Sequence, residues 1–263
     1  MQRPPMTIET LRHDGDIIEI KLARAPVNAL DPDLCNAVRD AVDAAPGNGA
    51  RALVLSGGLG VFSAGLDVPY LLGLGDERAG LMAAWGAFFG ACGAIARCPV
   101  PIVAAIDGHN PAGGCVLALC CDYRIMAGAP EGAKPFRIGL NEVAVGLVAP
   151  EAVQYLMQRI VGYQRSERLL ADGTLLTTAE AHALGIVDEV CAPGEAVARA
   201  LAWLQPRLKL PQMPLHATRE IARADLIAAI TDPKRINLDL FIDYWFMPDT
   251  QAGLRAMLAR IGK

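Results

Sequence analysis

Apolar and polar positions along the chain alternate between short buried runs and amphipathic stretches. TIETLRHDGDIIEIKLAR reads as two short strands around an Asp14-Gly15 turn signal. In DLCNAVRDAVDAA the apolar residues recur at helical spacing, with Asp31 or Asp33 available as the cap. ARALVLSGG is an apolar run closed by glycines, which predicts a buried strand, and the loop FSAGLDV follows it. A helix is predicted over 76–97, stopping before Pro99, and PIVAAIDG supplies another buried strand. AGGCVLALCC should then open a helix at Gly113-Gly114, with DYRIMAG returning as a strand. The order strand, glycine-containing loop, helix therefore repeats.

FRIGLNEVAVGL reads as a loop or short strand, and PEAVQYLMQRI as a helix with Pro150 near its first turn. QRSERLLADG is a second helix stopped by a glycine. Thr178 and Glu180 begin the short AEAHALG helix, and IVDEV forms a late strand. After Pro193 the pattern is helical alone: GEAVARALAWLQ, HATREIARADLIAAI and a terminal stretch from DLFIDYWFM to AMLARIGK. The chain thus divides into an α/β core over 1–193 and a helical region over 194–263 used for packing and oligomerisation. Phe241, Tyr244, Trp245, Phe246 and Met247 exceed what a free tail would expose, so they should pack on the core or on another subunit. No fixed-period repeat or low-complexity linker is evident.

Composition narrows the class. The 263 residues are 53% hydrophobic and 20% charged, enough for one large core. Formal charge is 24 − 28 = −4, without a long run of either sign, which argues against nucleic acid as the main partner. The seven cysteines form an odd set without paired metal-ligand spacing and read as reduced core thiols. No HExxH or Cys/His cluster suggests a metal. MQRPPMTIET has neither an apolar signal core nor an Arg-rich presequence, so a cytoplasmic protein is expected. The apolar stretches are interrupted before roughly 18 residues, so no membrane span is expected.

Two glycine-containing loops carry candidate chemistry: Ser63-Ala64-Gly65-Leu66-Asp67 and Pro111-Ala112-Gly113-Gly114-Cys115. Each follows a predicted buried strand, and glycine lets a backbone N–H approach a ligand closely. Two such loops on adjacent strands can aim two N–H groups at one oxygen, and the second also opens a helix whose N-terminus favours negative charge. This is the equipment of an oxyanion hole. Neither loop has the Lys-Ser/Thr of a phosphate loop or a complete dinucleotide fingerprint.

Taken together and in order, FSAGLD, IDGHNPAGGCVLALCCDYRIMA and IGLNEVAVGLVAP resemble the crotonase superfamily of enoyl-CoA hydratases and isomerases. The later run, PAGGC through IGLNE to AP, is most similar to the mitochondrial-type Δ3,Δ2-enoyl-CoA isomerases. The resemblance implies an α/β fold, a spiral of repeated β-β-α units followed by a C-terminal helical region. It also implies homotrimers, sometimes paired into dimers of trimers. The peptide N–H groups of Leu66 and Gly113 would hold a thioester oxygen. Backbone from Ala64 to Leu66, flanked by Ser63 and Asp67, would meet the coenzyme A moiety, together with Ala29 and Arg24 in LARAPVNAL. Coenzyme A would arrive as part of an acyl-CoA thioester substrate, with no separate cofactor. His109 is expected near the acyl pocket, and Trp85, Phe88 and Phe89 in the core or the pocket wall.

The same resemblance bears on the reaction. Hydratases of this superfamily usually carry two glutamates, one just after GGGC and one in the later loop. Here the first position is Val116 and the second is Glu142, preceded by Asn141, which would orient the carboxylate or contact the thioester. One carboxylate suits a proton shuttle, so the expectation is isomerisation of 3-enoyl-CoA to 2-trans-enoyl-CoA. Two alternatives stay open: an enoyl-CoA hydratase or other crotonase-type reaction, and a non-catalytic acyl-CoA-binding protein.

Overall fold

The computed structural model describes residues 7–261, so the leading MQRPPM segment, on which part of the localisation reading rests, lies outside it. The chain opens with β1 (Ile8–His13) and β2 (Ile17–Leu22), paired antiparallel across the Asp14-Gly15 turn. Then come α1 (Pro32–Ala44), capped by the Asp31 side chain on the Leu34 amide, β3 (Ala52–Ser56) and β4 (Gly60–Val61). Next are α2 (Val68–Gly73), α3 (Arg78–Arg97), β5 (Ile102–Ile106), β6 (Gly108–Pro111) and α4 (Gly113–Leu119). The third pass contains β7 (Tyr123–Ala127), β8 (Arg137–Gly139), α5 (Glu151–Val161) and α6 (Tyr163–Ala171). It closes with β9 (Leu176–Thr177), α7 (Thr178–Ala183) and β10 (Glu189–Cys191). The last region holds α8 (Ala196–Leu204), α9 (Gln212–Ala222), α10 (Ala224–Thr231), α11 (Pro233–Ile236), α12 (Leu238–Trp245) and α13 (Pro248–Ile261).

Two sheets result. The larger runs β1-β2-β3-β5-β7-β10, parallel from β2 onward, and the smaller runs β4-β6-β8-β9. Each turn of the spiral therefore places one strand in each sheet before a helix: β3-β4-α2, β5-β6-α4 and β7-β8-α5. The β-β-α architecture is the expected one. The second strands of the first two units, β4 and β6, were not readable as strands, because two to four residues such as Gly-Val or Gly-His-Asn-Pro carry no apolar alternation, whereas β8 falls where a loop or short strand was expected.

β3 and β5 are buried along their whole length, since a parallel sheet needs both faces covered. One face packs on α1, α3 and α4. The other, bearing Ile17, Val54, Val103 and Ile125, is covered by Ala196, Ala200 and Leu204 of α8. So α8, within 194–263, packs with the sheet. The aromatic stretch divides: Phe241 and Trp245 enter the core, Phe241 lying 4.2 Å from Trp85 by ring centroid, while Tyr244 and Met247 face solvent.

α7 begins at Thr178 as expected, and Thr177 caps it in a reciprocal capping box with Glu180. Two expectations need correction. α3 is long and apolar enough to cross a membrane, although its apolar face is buried in the core. The single helix expected over HATREIARADLIAAI breaks at Arg223, whose φ of −108° and ψ of 3° leave the helical region. The Arg223 guanidinium binds the carbonyls of Ala96 and Cys120, at the C-terminal ends of α3 and α4, where a cation is favoured. Asp122 takes both Arg223 and Arg219 at 3.0 and 2.7 Å, so it ties the C-terminal helices to the core.

Candidate active site

The first loop leads from β4 into α2, and almost every amide in it is spent. The Ala64 N–H donates to the Val27 carbonyl, that of Gly65 to Ser63 Oγ, and that of Asp67 to the Leu30 carbonyl. The Leu66 N–H, which lies between these bonded amides, has no protein acceptor among the described residues. Ser63 is fully buried and donates its hydroxyl to the Asn28 carbonyl at 2.8 Å, so it staples the loop. Asn28 in turn donates from its amide to the Phe62 carbonyl at 2.9 Å, and its φ of 50° is one that Asn tolerates better than most residues. Sequence reasoning missed Asn28; the only signal was an Asn two residues after Pro26 in a strand-to-helix turn.

The second loop aims its amide by strain. Ala112 precedes α4 with φ 49° and ψ −124°, the first central position of a type II′ turn, which glycine normally fills. Its N–H is held by the Gly139 carbonyl at 2.8 Å, so its ψ decides where the Gly113 N–H points. As the first residue of α4, Gly113 has no intrahelical acceptor, and no other protein acceptor takes its amide. The two loops abut: a Cβ built on Gly65 would lie 3.4 Å from the Gly113 nitrogen, and one on Gly113 3.5 Å from the Leu66 nitrogen. The two amides expected to form the oxyanion hole are thus brought together, free of other partners. Behind them Asn110, also missed, is fully buried, with its Oδ1 2.2 Å from where a Cβ on Gly114 would sit.

Both loops line one cavity of about 490 Å³. Arg24, Ala29, Ala64, Asp67, Asn141 and Glu142 also reach its wall, whereas Ser63 and Gly65 support it from behind. The rest is apolar, including Trp85, Phe88, Val116, Phe241, Met257 and Leu258. Phe89 lies in the core instead. His109 does not line this cavity. It sits on β6, where its Nδ1 accepts the Arg137 N–H at 3.1 Å.

Arg24 is already committed. Its guanidinium contacts Asp31 at 2.8 Å, Asp67 at 2.6 Å and the Ala29 carbonyl at 3.1 Å, so two carboxylates outweigh its single charge. Asp67 also caps α2 through the Tyr70 amide. Both residues therefore fix the loops that carry the Leu66 amide.

Glu142 stands after β8, ahead of a tight turn over Val143–Val145. The residue is half-buried, but its Oε2 is shielded from solvent and has no protein partner, as is Asn141 Oδ1. Burial without a compensating cation pushes the carboxyl from an ordinary 4.5 up to about 7. Val116, 1% exposed, supplies no second carboxyl to the wall. The cavity can therefore bind a developing oxyanion and exchange a proton near neutral pH. Among the described residues no group of three or more His, Cys, Asp or Glu side chains gathers to hold a metal.

A spiral of β-β-α units with paired loop amides over an apolar cavity defines a crotonase-fold protein. Residues 12–260 match the family model described as enoyl-CoA hydratase/isomerase. The chain is 29% identical over 244 residues to the mitochondrial enoyl-CoA delta isomerase 1 of Mus musculus, covering 92% of this chain and 82% of that protein. It is 32% identical over 227 residues to a probable enoyl-CoA hydratase, echA17, of Mycobacterium avium, covering 82% and 84%. The crystal structure of human mitochondrial delta3-delta2-enoyl-CoA isomerase superimposes with a TM-score of 0.89 at 27% identity, covering 98% of each chain. The chain belongs to the enoyl-CoA hydratase/isomerase family, whose members bind acyl-CoA thioesters.

Proposed function

We propose that the protein isomerises 3-enoyl-CoA to 2-trans-enoyl-CoA, with Glu142 as the only acid/base. The observation that carries this reading is one shielded carboxyl facing a cavity whose equivalent second position is Val116. Hydration needs two proton-handling groups around a water, and here one of them is an apolar side chain. In the proposed reaction the Glu142 carboxylate takes a C2 proton, and the electron pair moves into a dienolate whose oxygen accepts from the Leu66 and Gly113 amides. The same carboxyl returns the proton at C4, and the double bond settles between C2 and C3 in conjugation with the thioester. A single base serves both carbons because they share one face of a planar dienolate. Coenzyme A is part of the substrate in this scheme, and no separate cofactor is required.

The carboxyl must be ionised to start, so kcat should rise as pH climbs through about 7. The test supplies 3-hexenoyl-CoA and crotonyl-CoA separately and follows absorbance of the conjugated thioester. Glu142→Gln should lower isomerisation roughly 10³-fold, within the range for loss of a general base. Full activity in that variant, or hydration of crotonyl-CoA without isomerisation of the other thioester, would remove this assignment. Binding of both without any turnover would favour a non-catalytic acyl-CoA carrier.

A further inference from the structure

Among the described residues Glu142 Oε2 has no hydrogen-bond partner, so backbone placement, not a side-chain partner, holds this carboxyl where it is. The backbone in question is the turn over Val143–Val145 and the following Gly146, whose φ is +86°. The Glu142 carbonyl accepts the Val145 and Leu147 amides at 3.0 and 2.9 Å, so any shift of the turn is passed directly to Glu142.

Two distant glycines press on this turn. Gly173, beyond α6, leaves so little room that a Cβ there would lie 2.8 Å from the Ala144 nitrogen. From the other side comes α13, the last helix. A Cβ on Gly253 would lie 3.0 Å from the Val145 oxygen and 3.1 Å from Gly146 Cα. Buried Thr250 donates its hydroxyl to the Gly146 carbonyl at 2.7 Å. One turn further on, Met257 and Leu258 of the same helix line the cavity.

We infer that Thr250 and Gly253 form a clasp between α13 and the Glu142 turn, and that this clasp positions the carboxyl for proton transfer. The inference rests on the reading of Glu142 as the base. Thr250 and Gly253 are positioning residues: they touch the turn and not the substrate. The hydroxyl sets the direction of the Gly146 peptide, and the missing side chain at 253 sets how closely the helix can approach. Proton transfer depends steeply on such placement, since a displacement of about 1 Å can cost 10²-fold in rate. The clasp also keeps Met257 and Leu258 seated, so loosening it would admit water to the carboxyl as well as move it.

The test uses the full chain with four substitutions and 3-hexenoyl-CoA as substrate. Thr250→Val keeps the shape of the side chain but removes the donor, and should lower kcat roughly tenfold with KM changed by less than about twofold. Thr250→Ser restores the donor and should recover kcat. Gly253→Ala should act in the same direction as Thr250→Val and more strongly. Arg255→Ala, on the exposed face of α13, should leave kcat unchanged. The acid limb of the kcat profile should move downward from about 7 in Thr250→Val, as water reaches the carboxyl. Should Gly253→Ala fail to fold, the Val/Ser pair at 250 still decides. Wild-type kcat and pH profile in Thr250→Val, or a loss confined to KM, would overturn the clasp. If Glu142→Gln itself keeps turnover, the base assignment falls instead. The clasp is then read by infrared titration of the carboxyl band that Glu142→Gln removes: its midpoint falls in Thr250→Val if the clasp positions that group, and an unmoved midpoint refutes it.

Discussion

On one side of the cavity the polar groups are backbone amides, and on the other there is a side-chain carboxyl. The amide side is held by a dense set of bonds: Ser63 to Asn28, Asn28 to Phe62, Ala64 to Val27, and Leu30 to the carbonyl of Gly65. Together they fix the loop around the Leu66 amide, which, like the Gly113 amide, has no protein acceptor among the described residues. The carboxyl side is defined by shortage, since Glu142 Oε2 has no partner and its proton affinity is raised by burial. Pre-organised donors bind charge at little reorganisation cost. An unpartnered acid gains the opposite property, a readiness to change charge near neutral pH. The first side should therefore fail through geometry and the second through titration.

The sharpest way to break the amide side is Gly65→Ala. Gly65 has a φ of +87°, and a Cβ there would meet Ala112 Cβ at 3.1 Å and the Gly113 nitrogen at 3.4 Å. The added methyl both strains its own loop and pushes on the second. Loss of one oxyanion donor costs about 10²–10³ in kcat, and that range is expected here. Steady-state assay of the purified variant checks it, together with a melting curve to separate misfolding from misalignment. A kcat within a few-fold of the parent would mean that the two loops do not act as a matched pair.

The carboxyl side makes a different prediction, about stability against pH. Glu142 has its folded-state pKa raised, from 4.5 to about 7. Its favourable term is therefore fully present below about 4.5 and is lost as pH rises through about 7, because the folded state must then hold a buried charge. The rise corresponds to about 3 kcal/mol. Glu142→Gln should be no more stable than the parent at pH 4, and more stable by an amount approaching about 3 kcal/mol at pH 8. Urea unfolding of both proteins at the two pH values measures the difference. A constant difference across this window would show that the carboxyl is better solvated than its surroundings indicate.

These two sides were unequally readable in the sequence. Glycines following apolar runs marked the two loops, but the roles of Leu66, Gly113 and Glu142 came from the family resemblance of FSAGLD, PAGGC and IGLNE. The main-sheet strands were readable too, since β3 and β5 are unbroken apolar segments. What escaped depends on contacts distant in sequence. β4 and β6 are strands only because of pairing across the smaller sheet, β4 with β6 and β6 with β8, and Asn28 matters only because Phe62 lies beside it. Arg24 was expected at coenzyme A, and nothing in the sequence told that the fold would bring both Asp31 and Asp67 to it. Nor does sequence reveal that Gly253 meets Gly146 across more than 100 positions of chain.

The smallest effect concerns Ala112, and it tests whether the amide side was built at a cost in stability. An alanine at φ 49° and ψ −124° occupies backbone space that glycine enters freely, and such strain is on the order of 1–3 kcal/mol. Glycine gives back roughly 0.5–1 kcal/mol through the greater freedom of the unfolded chain. Ala112→Gly should therefore stabilise the fold by about 1 kcal/mol, read as a rise in urea midpoint with unchanged slope. The Ala112 N–H would keep its bond to Gly139, and the Gly113 N–H would keep its direction, so kcat should stay within about twofold. The strain would then be incidental to catalysis. A stabilised variant with kcat reduced tenfold or more would instead mean that the Ala112 methyl, which touches the space beside Gly65, helps to lock the hole. In that case the amide side, like the carboxyl side, would depend on a side chain after all.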